Sequence, residues 1–210
     1  MEAIFEKDGV KIFYDDNPID PRKDCDNLGT MVCFHKRYNL GDKHNIIRDN
    51  FSGWSEMRAS IEANIGPCVI LPLYLYDHSG ITMNTTGFSC PWDSGTVGFI
   101  YCSEASAKEE GIDPDKLEAY LIGEVATYDQ YLRGEVYGFV QEMPPQYSVD
   151  RNHRVCKDGY ALFRLVEASV KDAELVVDAL NEHDPGEPDS CWGFYMEPEE
   201  LADAVLKGEL

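Results

Sequence analysis

The clearest periodic pattern in the chain lies between Pro114 and Gly134. Apolar residues recur there at intervals of three and four, the spacing of one helix face: Leu117, Tyr120, Leu121, Val125, Tyr128 and Leu132. Proline is tolerated in the first turn of a helix, and glycine commonly ends one. The pattern therefore predicts an amphipathic helix over this stretch.

Three further segments have helical patterns. Trp54, Met57 and Ile61 are spaced for a short helix that Gly66 would end. The segment KDAELVVDALNEHD, residues 171–184, predicts an amphipathic helix. The segment EPEELADAVLKGEL, residues 197–210, predicts a last helix with glutamates in its first turn, where the helix dipole favours them.

Runs rich in β-branched and aromatic residues predict strands: GVKIFYDD, TMVCFHKRY, CVILPLYLYD, ITMNTTGF, GTVGFIYCS, EVYGFVQE, GYALFRLVEAS and DSCWGFYM. Pro72 inside CVILPLYLYD indicates a bulge or an edge. EVYGFVQE and GYALFRLVEAS fit a hairpin with a long connection. The Gly-Phe pairs at 98–99, 138–139 and 193–194 predict three strands of one sheet, with aromatic rings lying on glycine backbone.

Strands interspersed with three or four helices, without a regular βαβ rhythm, are typical of the α+β class. A length of 210 residues and an apolar content of 43% fit one sizeable core. We therefore expect a single α+β domain over residues 1–210, with a mostly antiparallel or mixed sheet.

Charge is the unusual property of the composition. The chain has 18 basic and 39 acidic residues, a formal net charge of −21. The last forty residues hold 12 acidic and 2 basic side chains. The electrostatic field of a protein with this net charge repels nucleic acid and anionic membrane surfaces. The charge indicates either a solubilising surface or a surface that competes with a polyanion for a basic protein.

Compartment and redox state follow from simpler signals. The opening residues MEAIFEKDGVKIFYDD lack the basic and apolar regions of a signal peptide, and the longest apolar run is far shorter than the roughly 20 residues of a membrane helix. Seven cysteines without a CxxC pair favour reduced thiols. We expect a soluble protein in the cytoplasm of a bacterial host.

Residues 74–101, YLYDHSGITMNTTGFSCPWDSGTVGFIY, concentrate polar chemistry beside an apolar strand. One interpretation is a hydrolase with Cys90 as nucleophile and His78 as base, oriented by Asp77 or Asp93, because a thiolate needs a nearby base in a fixed tautomer. The alternative is structural: the glycines and polar residues form turns, and Phe88 and Trp92 fill a core. Trp92 or Tyr101, if exposed, would instead anchor a binding partner.

Metal and cofactor sites are not expected. Cysteines and histidines lack the paired spacing of zinc sites, and the glycine-rich phosphate-binding motifs GxGxxG and GxxxxGK[ST] do not occur in the sequence. The sequence therefore predicts no metal and no cofactor, and an enzyme is the less favoured interpretation.

Four blocks of the sequence resemble a family of small acidic proteins encoded by phages, plasmids and integrative elements: YLYDHSGITM, FSCPWDSGTVGFIY, TYDQYLRGEVYGFVQE and DSCWGFYMEPEEL. They lie mostly within residues 71–142 and 189–201, which together make up about two fifths of the chain. The resemblance implies a mobile-element origin and an accessory role, and it assigns no catalytic residues.

Charge and resemblance together favour a non-enzymatic, anti-defence inhibitor that blocks a basic nucleic-acid-handling host protein, such as a nuclease or a CRISPR or restriction effector. The expected binding residues are acids of the last two helices: Glu174, Asp178, Glu182, Glu197, Glu199, Glu200 and Asp203. Two alternatives remain open. One is the hydrolase centred on Cys90 and His78, and the other is a phage adaptor that binds through the aromatic hairpin.

Overall fold

A computed structural model describes residues 2–143, 147–152, 154–157, 160–164, 170–184 and 187–210. Within these residues the five α-helices are α1 (Trp54–Ile65), α2 (Glu104–Glu109), α3 (Leu117–Arg133), α4 (Val170–His183) and α5 (Pro198–Lys207). The eleven strands are β1 (Phe5–Lys7), β2 (Val10–Tyr14), β3 (Thr30–Cys33), β4 (Cys68–Asp77), β5 (Ile81–Asn84), β6 (Ser94–Ser103), β7 (Tyr137–Met143), β8 (Tyr147–Val149), β9 (Arg154–Lys157), β10 (Tyr160–Arg164) and β11 (Glu187–Phe194).

The α+β class is confirmed, and every strand pairing described is antiparallel. Residue contacts divide the chain into two compact units, residues 16–136 and residues 1–15 with 137–210. The expectation of one domain over residues 1–210 stays a prediction.

The unit of residues 16–136 is built on a four-stranded sheet with the order β3-β6-β4-β5. On one face, Leu73 and Leu75 of β4 pack with Leu121 and Val125 of α3 in the largest hydrophobic cluster. Alternate residues of a strand point to opposite faces, so Ile70 lies on the other face, where it packs with residues of α1. The sheet is therefore covered by a helix on each side.

Two sequence signals in this unit have clear structural counterparts. Gly66, with a φ of 82°, ends α1, and Gly134, with a left-handed φ of 74°, ends α3. Pro72 lies where β4 pairs with β6 but not with β5, which starts its pairing at Tyr74. A proline is tolerated there because that side of the strand needs no hydrogen-bond donor.

The other unit contains a four-stranded sheet with the order β1-β2-β7-β11 and a three-stranded sheet with the order β10-β9-β8. Leu201 and Ala202 of α5 pack against Val10, Ile12 and Phe139 of the four-stranded sheet. Helix α4 contacts β8 of the three-stranded sheet. Among the described residues, no helix combines the length and the apolar character needed to cross a bilayer.

Several local expectations were wrong. EVYGFVQE and GYALFRLVEAS do not form a hairpin with each other, because β7 pairs with β2 and β11 while β10 pairs with β9. The last residues of GYALFRLVEAS, 165–169, lie outside the described residues. The three Gly-Phe strands belong to two sheets: β7 and β11 are neighbours, and β6 lies in the sheet of residues 16–136. Tyr120 is half-exposed, so it lies off the buried face of α3.

The predicted use of glycine holds in one of these strands. A side chain at Gly138 would meet the ring of Trp192 at 2.1 Å, so the indole lies directly on the β7 backbone. Only a residue without a Cβ fits beneath that ring.

Candidate functional site

The residues predicted for a Cys-His site lie where β4 turns back and where the connection from β5 enters β6. The backbone N–H of Asp77 donates to the Asp93 carbonyl at 2.8 Å, and the N–H of His78 donates to the Gly80 carbonyl at 3.0 Å. Ser79 has a φ of 58°, which is uncommon for a residue other than glycine. These contacts fix the loop 77–80 beside residues 90–94.

Asp93 is the central residue of this cluster. Its Oδ2 accepts from the Cys90 thiol, with 3.6 Å between Sγ and Oδ2. The same oxygen lies 3.4 Å from Nδ1 of His78. The structure therefore brings Cys90, Asp93 and His78 together around one carboxylate oxygen.

This geometry supplies only part of a nucleophile-base pair. An Asp93 carboxylate against Nδ1 would orient the imidazole and leave Nε2 for a proton transfer, as in a catalytic triad. The polar contact of the thiol is with the carboxylate, however, whereas a Cys-His nucleophile needs its base within hydrogen-bond reach of the sulfur. The His78 side chain is also 63% exposed, so the site is open to solvent.

Asp77 belongs to a neighbouring set of contacts that sequence reasoning missed. Its Oδ1 accepts from the Tyr38 hydroxyl at 3.3 Å, and its Oδ2 lies 3.5 Å from the Arg37 guanidinium. The guanidinium also donates to the Tyr38 hydroxyl at 2.7 Å. The signal that could have indicated these residues is the local run His-Lys-Arg-Tyr, which is basic in a strongly acidic chain.

The two aromatic candidates differ in exposure. Trp92 is 91% exposed, so the expectation that it fills a core is wrong, and its ring is available to a partner. Tyr101 packs against the hydrophobic cluster of Met57, Ile61 and Phe99, and burial raises its pKa. Tyr101 is therefore mainly a packing residue.

Three predicted binding residues lie on α4. Glu174, Asp178 and Glu182 are all exposed and four residues apart, so they form one stripe along the helix. We call these three residues the α4 stripe. On the same helix Val177 is buried, and Val176 and Leu180 are partly buried. The acids thus occupy the solvent side of an amphipathic helix.

The end of α4 is held to β8 by Tyr147. The Asn181 side chain accepts from the Tyr147 backbone N–H at 2.8 Å and donates to its carbonyl at 3.3 Å. The Tyr147 hydroxyl donates to Asp184, which also accepts from Lys157 at 3.1 Å. These bonds fix the rotation of the helix that presents the α4 stripe.

The remaining predicted acids lie at the start of α5. Glu197, Glu199 and Glu200 are exposed. They line a groove of about 580 Å³ together with Ile4, Phe5, Pro198 and Asp203. We call the four acidic residues the α5 patch: Glu197, Glu199, Glu200 and Asp203. Asp203 accepts from the Lys7 ammonium, and this hydrogen bond holds the pKa of Asp203 below its usual range.

Sequence reasoning also missed a buried polar network around Arg22. The Arg22 side chain is 1% exposed. Its Nε and Nη2 donate to both carboxylate oxygens of Asp42 at 2.9 and 2.7 Å, and Nη1 donates to Glu124 at 2.7 Å. The Asn27 side chain and the Gly29 carbonyl accept from the remaining hydrogens. We call Arg22, Asp42 and Glu124 the Arg22 cluster; it joins the loop before β3 to α3.

Within the part of the chain that the structure describes, no group of three His, Cys, Asp or Glu side chains is arranged to hold a metal ion. Comparison with known proteins gives no match to a protein-family model, to a curated protein or to a solved structure.

Proposed function

We propose that this protein is a non-enzymatic acidic inhibitor, encoded by a phage or another mobile element, that binds a basic nucleic-acid-handling protein of a bacterial host. The observation that carries the proposal is the α4 stripe. Its three carboxylates are exposed and aligned on a helix whose opposite side packs on the protein.

The spacing of the carboxylates in the α4 stripe determines how closely the stripe resembles a polyanion. Four residues of α-helix rise about 6 Å, whereas each strand of B-DNA carries one charge per about 3.4 Å of axis. The α4 stripe alone thus has roughly half the linear charge density of one DNA strand. The α5 patch adds carboxylates on the same compact unit.

Charge distribution supports the same assignment. Residues 1–15 and 137–210 hold 20 acidic and 8 basic residues, whereas residues 16–136 hold 19 and 10. The smaller unit therefore has the larger negative excess. A field of this sign attracts cationic surfaces and increases the rate of association with them.

A pull-down of the tagged protein from bacterial lysate at low and at high salt tests the proposal. We expect a basic nucleic-acid-binding protein to be retained at low salt and released at high salt, because salt screens contacts between exposed charges. Retention of a partner through high salt, or capture of no basic protein, would contradict the proposal.

The exposure of Trp92 favours a second candidate, an adaptor that binds through the aromatic hairpin. An exposed indole is a common anchor of protein interfaces. Apolar contact of this kind resists high salt, so the same pull-down distinguishes the two functions.

A further inference from the structure

A second groove lies at the hairpin of residues 74–96, and none of its lining residues belongs to the acidic helices α4 and α5. It has a volume of about 590 Å³, within the usual range of small-molecule sites. It is lined by Tyr74, Thr86, Gly87, Phe88, Ser89, Ser94, Gly95 and Thr96. We call this feature the hairpin groove.

The hairpin groove lies on a sheet face that α1 covers only in part. Tyr74 pairs with Thr96 in the register of β4 and β6, so the two side chains share a face. Ile70, four residues before Tyr74, is on that same face and packs with α1 residues. Residues 86–89 also line the groove, together with Tyr74.

Hydrogen bonds hold the walls of the hairpin groove in place. Asn84 Oδ1 accepts from the N–H groups of Thr86 at 3.1 Å and Gly87 at 2.7 Å, and its amide donates to the Gly87 carbonyl at 3.2 Å. At the other end the Ser94 hydroxyl donates to the Cys90 carbonyl. The Phe88 ring packs 5.7 Å from that of Tyr76. The groove is therefore preformed, which lowers the entropic cost of binding.

The lining has a specific chemistry. Two aromatic rings, from Tyr74 and Phe88, form apolar walls, and four residues carry aliphatic hydroxyl groups: Thr86, Ser89, Ser94 and Thr96. Hydroxyl groups both donate and accept hydrogen bonds. None of the eight lining residues is charged, so a charged ligand would lose hydration without gaining a counter-charge from the walls.

These properties of the lining indicate which class of ligand would fit the groove. An uncharged ring that carries several hydroxyl groups would place its apolar C–H face on Tyr74 or Phe88 and exchange hydrogen bonds with the serines and threonines. We infer that the hairpin groove binds a neutral carbohydrate, an interaction that does not depend on the acidic surfaces.

Tyr74 provides a variant that removes an aromatic wall of the groove. Tyr74→Leu keeps an apolar side chain on the strand but takes away the ring on which the sugar would lie. Tyr120, half-exposed on α3 and absent from the lining, provides the matched control Tyr120→Leu.

The test is an NMR titration of the full chain with neutral disaccharides, including cellobiose, maltose and N,N′-diacetylchitobiose. We expect at least one sugar to cause saturable shifts of the Gly87 and Gly95 amides. Tyr74→Leu should weaken its binding by about tenfold or more, equal to about 1.4 kcal/mol, and Tyr120→Leu should bind as the wild type does. For the Tyr74→Leu chain, the Gly95 amide reports binding.

Two results would overturn the inference. One is the absence of saturable shifts with every sugar. The other is binding that Tyr74→Leu leaves unchanged, since the sugar would then occupy another surface. Either result leaves the salt-dependent pull-down untouched, so failure of the carbohydrate site is distinguishable from failure of the proposed inhibitor.

Discussion

The Arg22 cluster and the α4 stripe both contain acidic residues, but the fold uses these acids in opposite ways. In the Arg22 cluster, Asp42 and Glu124 are largely buried and bind a guanidinium that is 1% exposed. In the α4 stripe, Glu174, Asp178 and Glu182 face solvent. A formal charge of −21 therefore overstates the charge that is open to a partner, and the location of each carboxylate decides its role.

The largest expected effect is the loss of the buried cation. Arg22→Met leaves Asp42 and Glu124 without their charged partner, and breaking a buried ion pair typically costs about 3–5 kcal/mol. Urea denaturation followed by circular dichroism measures the change in the free energy of unfolding. Arg58→Met is the matched control: it removes an arginine from an exposed pair with Glu62, which should cost about 0.5 kcal/mol or less.

Equal destabilisation by Arg22→Met and Arg58→Met would contradict this assignment. It would mean that the Arg22 cluster contributes no more than a surface pair, and that its carboxylates are as available to a partner as those of the α4 stripe.

Reversing the charge of the α4 stripe should weaken binding of the partner but leave the free energy of unfolding unchanged. The triple variant Glu174→Lys, Asp178→Lys, Glu182→Lys changes the charge of one stripe and should reduce affinity for the captured basic protein by about tenfold or more, because like charges then oppose each other across the interface. The control is Glu109→Lys, Glu110→Lys, Glu118→Lys, which alters exposed residues of the other unit by the same total charge.

Binding constants from isothermal titration calorimetry compare the two triple variants. Equal losses would show that total charge, not the α4 stripe, governs binding. The α4 stripe would then be a solubilising surface.

Trp92 gives a third contrast, between an exposed and a packed indole. Trp92→Ala should change the free energy of unfolding by about 0.5 kcal/mol or less, as expected for a side chain that is almost fully exposed. Trp54 packs 6.0 Å from the Phe99 ring and lies under the Arg48 guanidinium. Trp54→Ala should therefore cost more, and thermal unfolding of both variants would reveal any reversal of this order.

The smallest expected effect concerns Asp203, whose exposure to solvent is intermediate between that of the Arg22 cluster and that of the α4 stripe. Its pKa is held low by the hydrogen bond from Lys7. A group with a depressed folded-state pKa stabilises the fold above its unfolded pKa, and this contribution is lost as the pH falls through the folded value. Lys7→Met should raise the pKa of Asp203 toward that of an ordinary aspartate, as measured by NMR titration of its carboxyl carbon; an unchanged pKa would contradict the role of Lys7.

Regular elements of this protein were predictable because local patterns determine them. The spacing of Leu117, Leu121 and Val125 identified the buried face of α3, and Gly66 and Gly134 marked two helix ends. The partnership of strands was not predictable, because pairing joins residues far apart in the chain. The assumed hairpin of EVYGFVQE and GYALFRLVEAS failed for this reason.

The same limit applies to the polar clusters. The sequence placed Cys90, His78 and Asp93 in one short segment, and the turn 77–80 brings them together. Arg22, Asp42 and Glu124 are spread over about half of the chain and have no local signature. Arg37 and Tyr38 reach Asp77 only through the fold, so a local pattern could not assign them to that carboxylate.

The most direct test of the central claim is a competition experiment between this protein and duplex DNA for the captured partner. Fluorescence anisotropy of a labelled duplex bound to that partner would be followed as wild-type protein or the α4-stripe triple variant is added. We predict that the wild type displaces the duplex, less effectively at higher salt, and that the triple variant does not. A duplex that stays bound while the wild-type protein joins the complex would contradict the claim that its acidic residues compete with a polyanion.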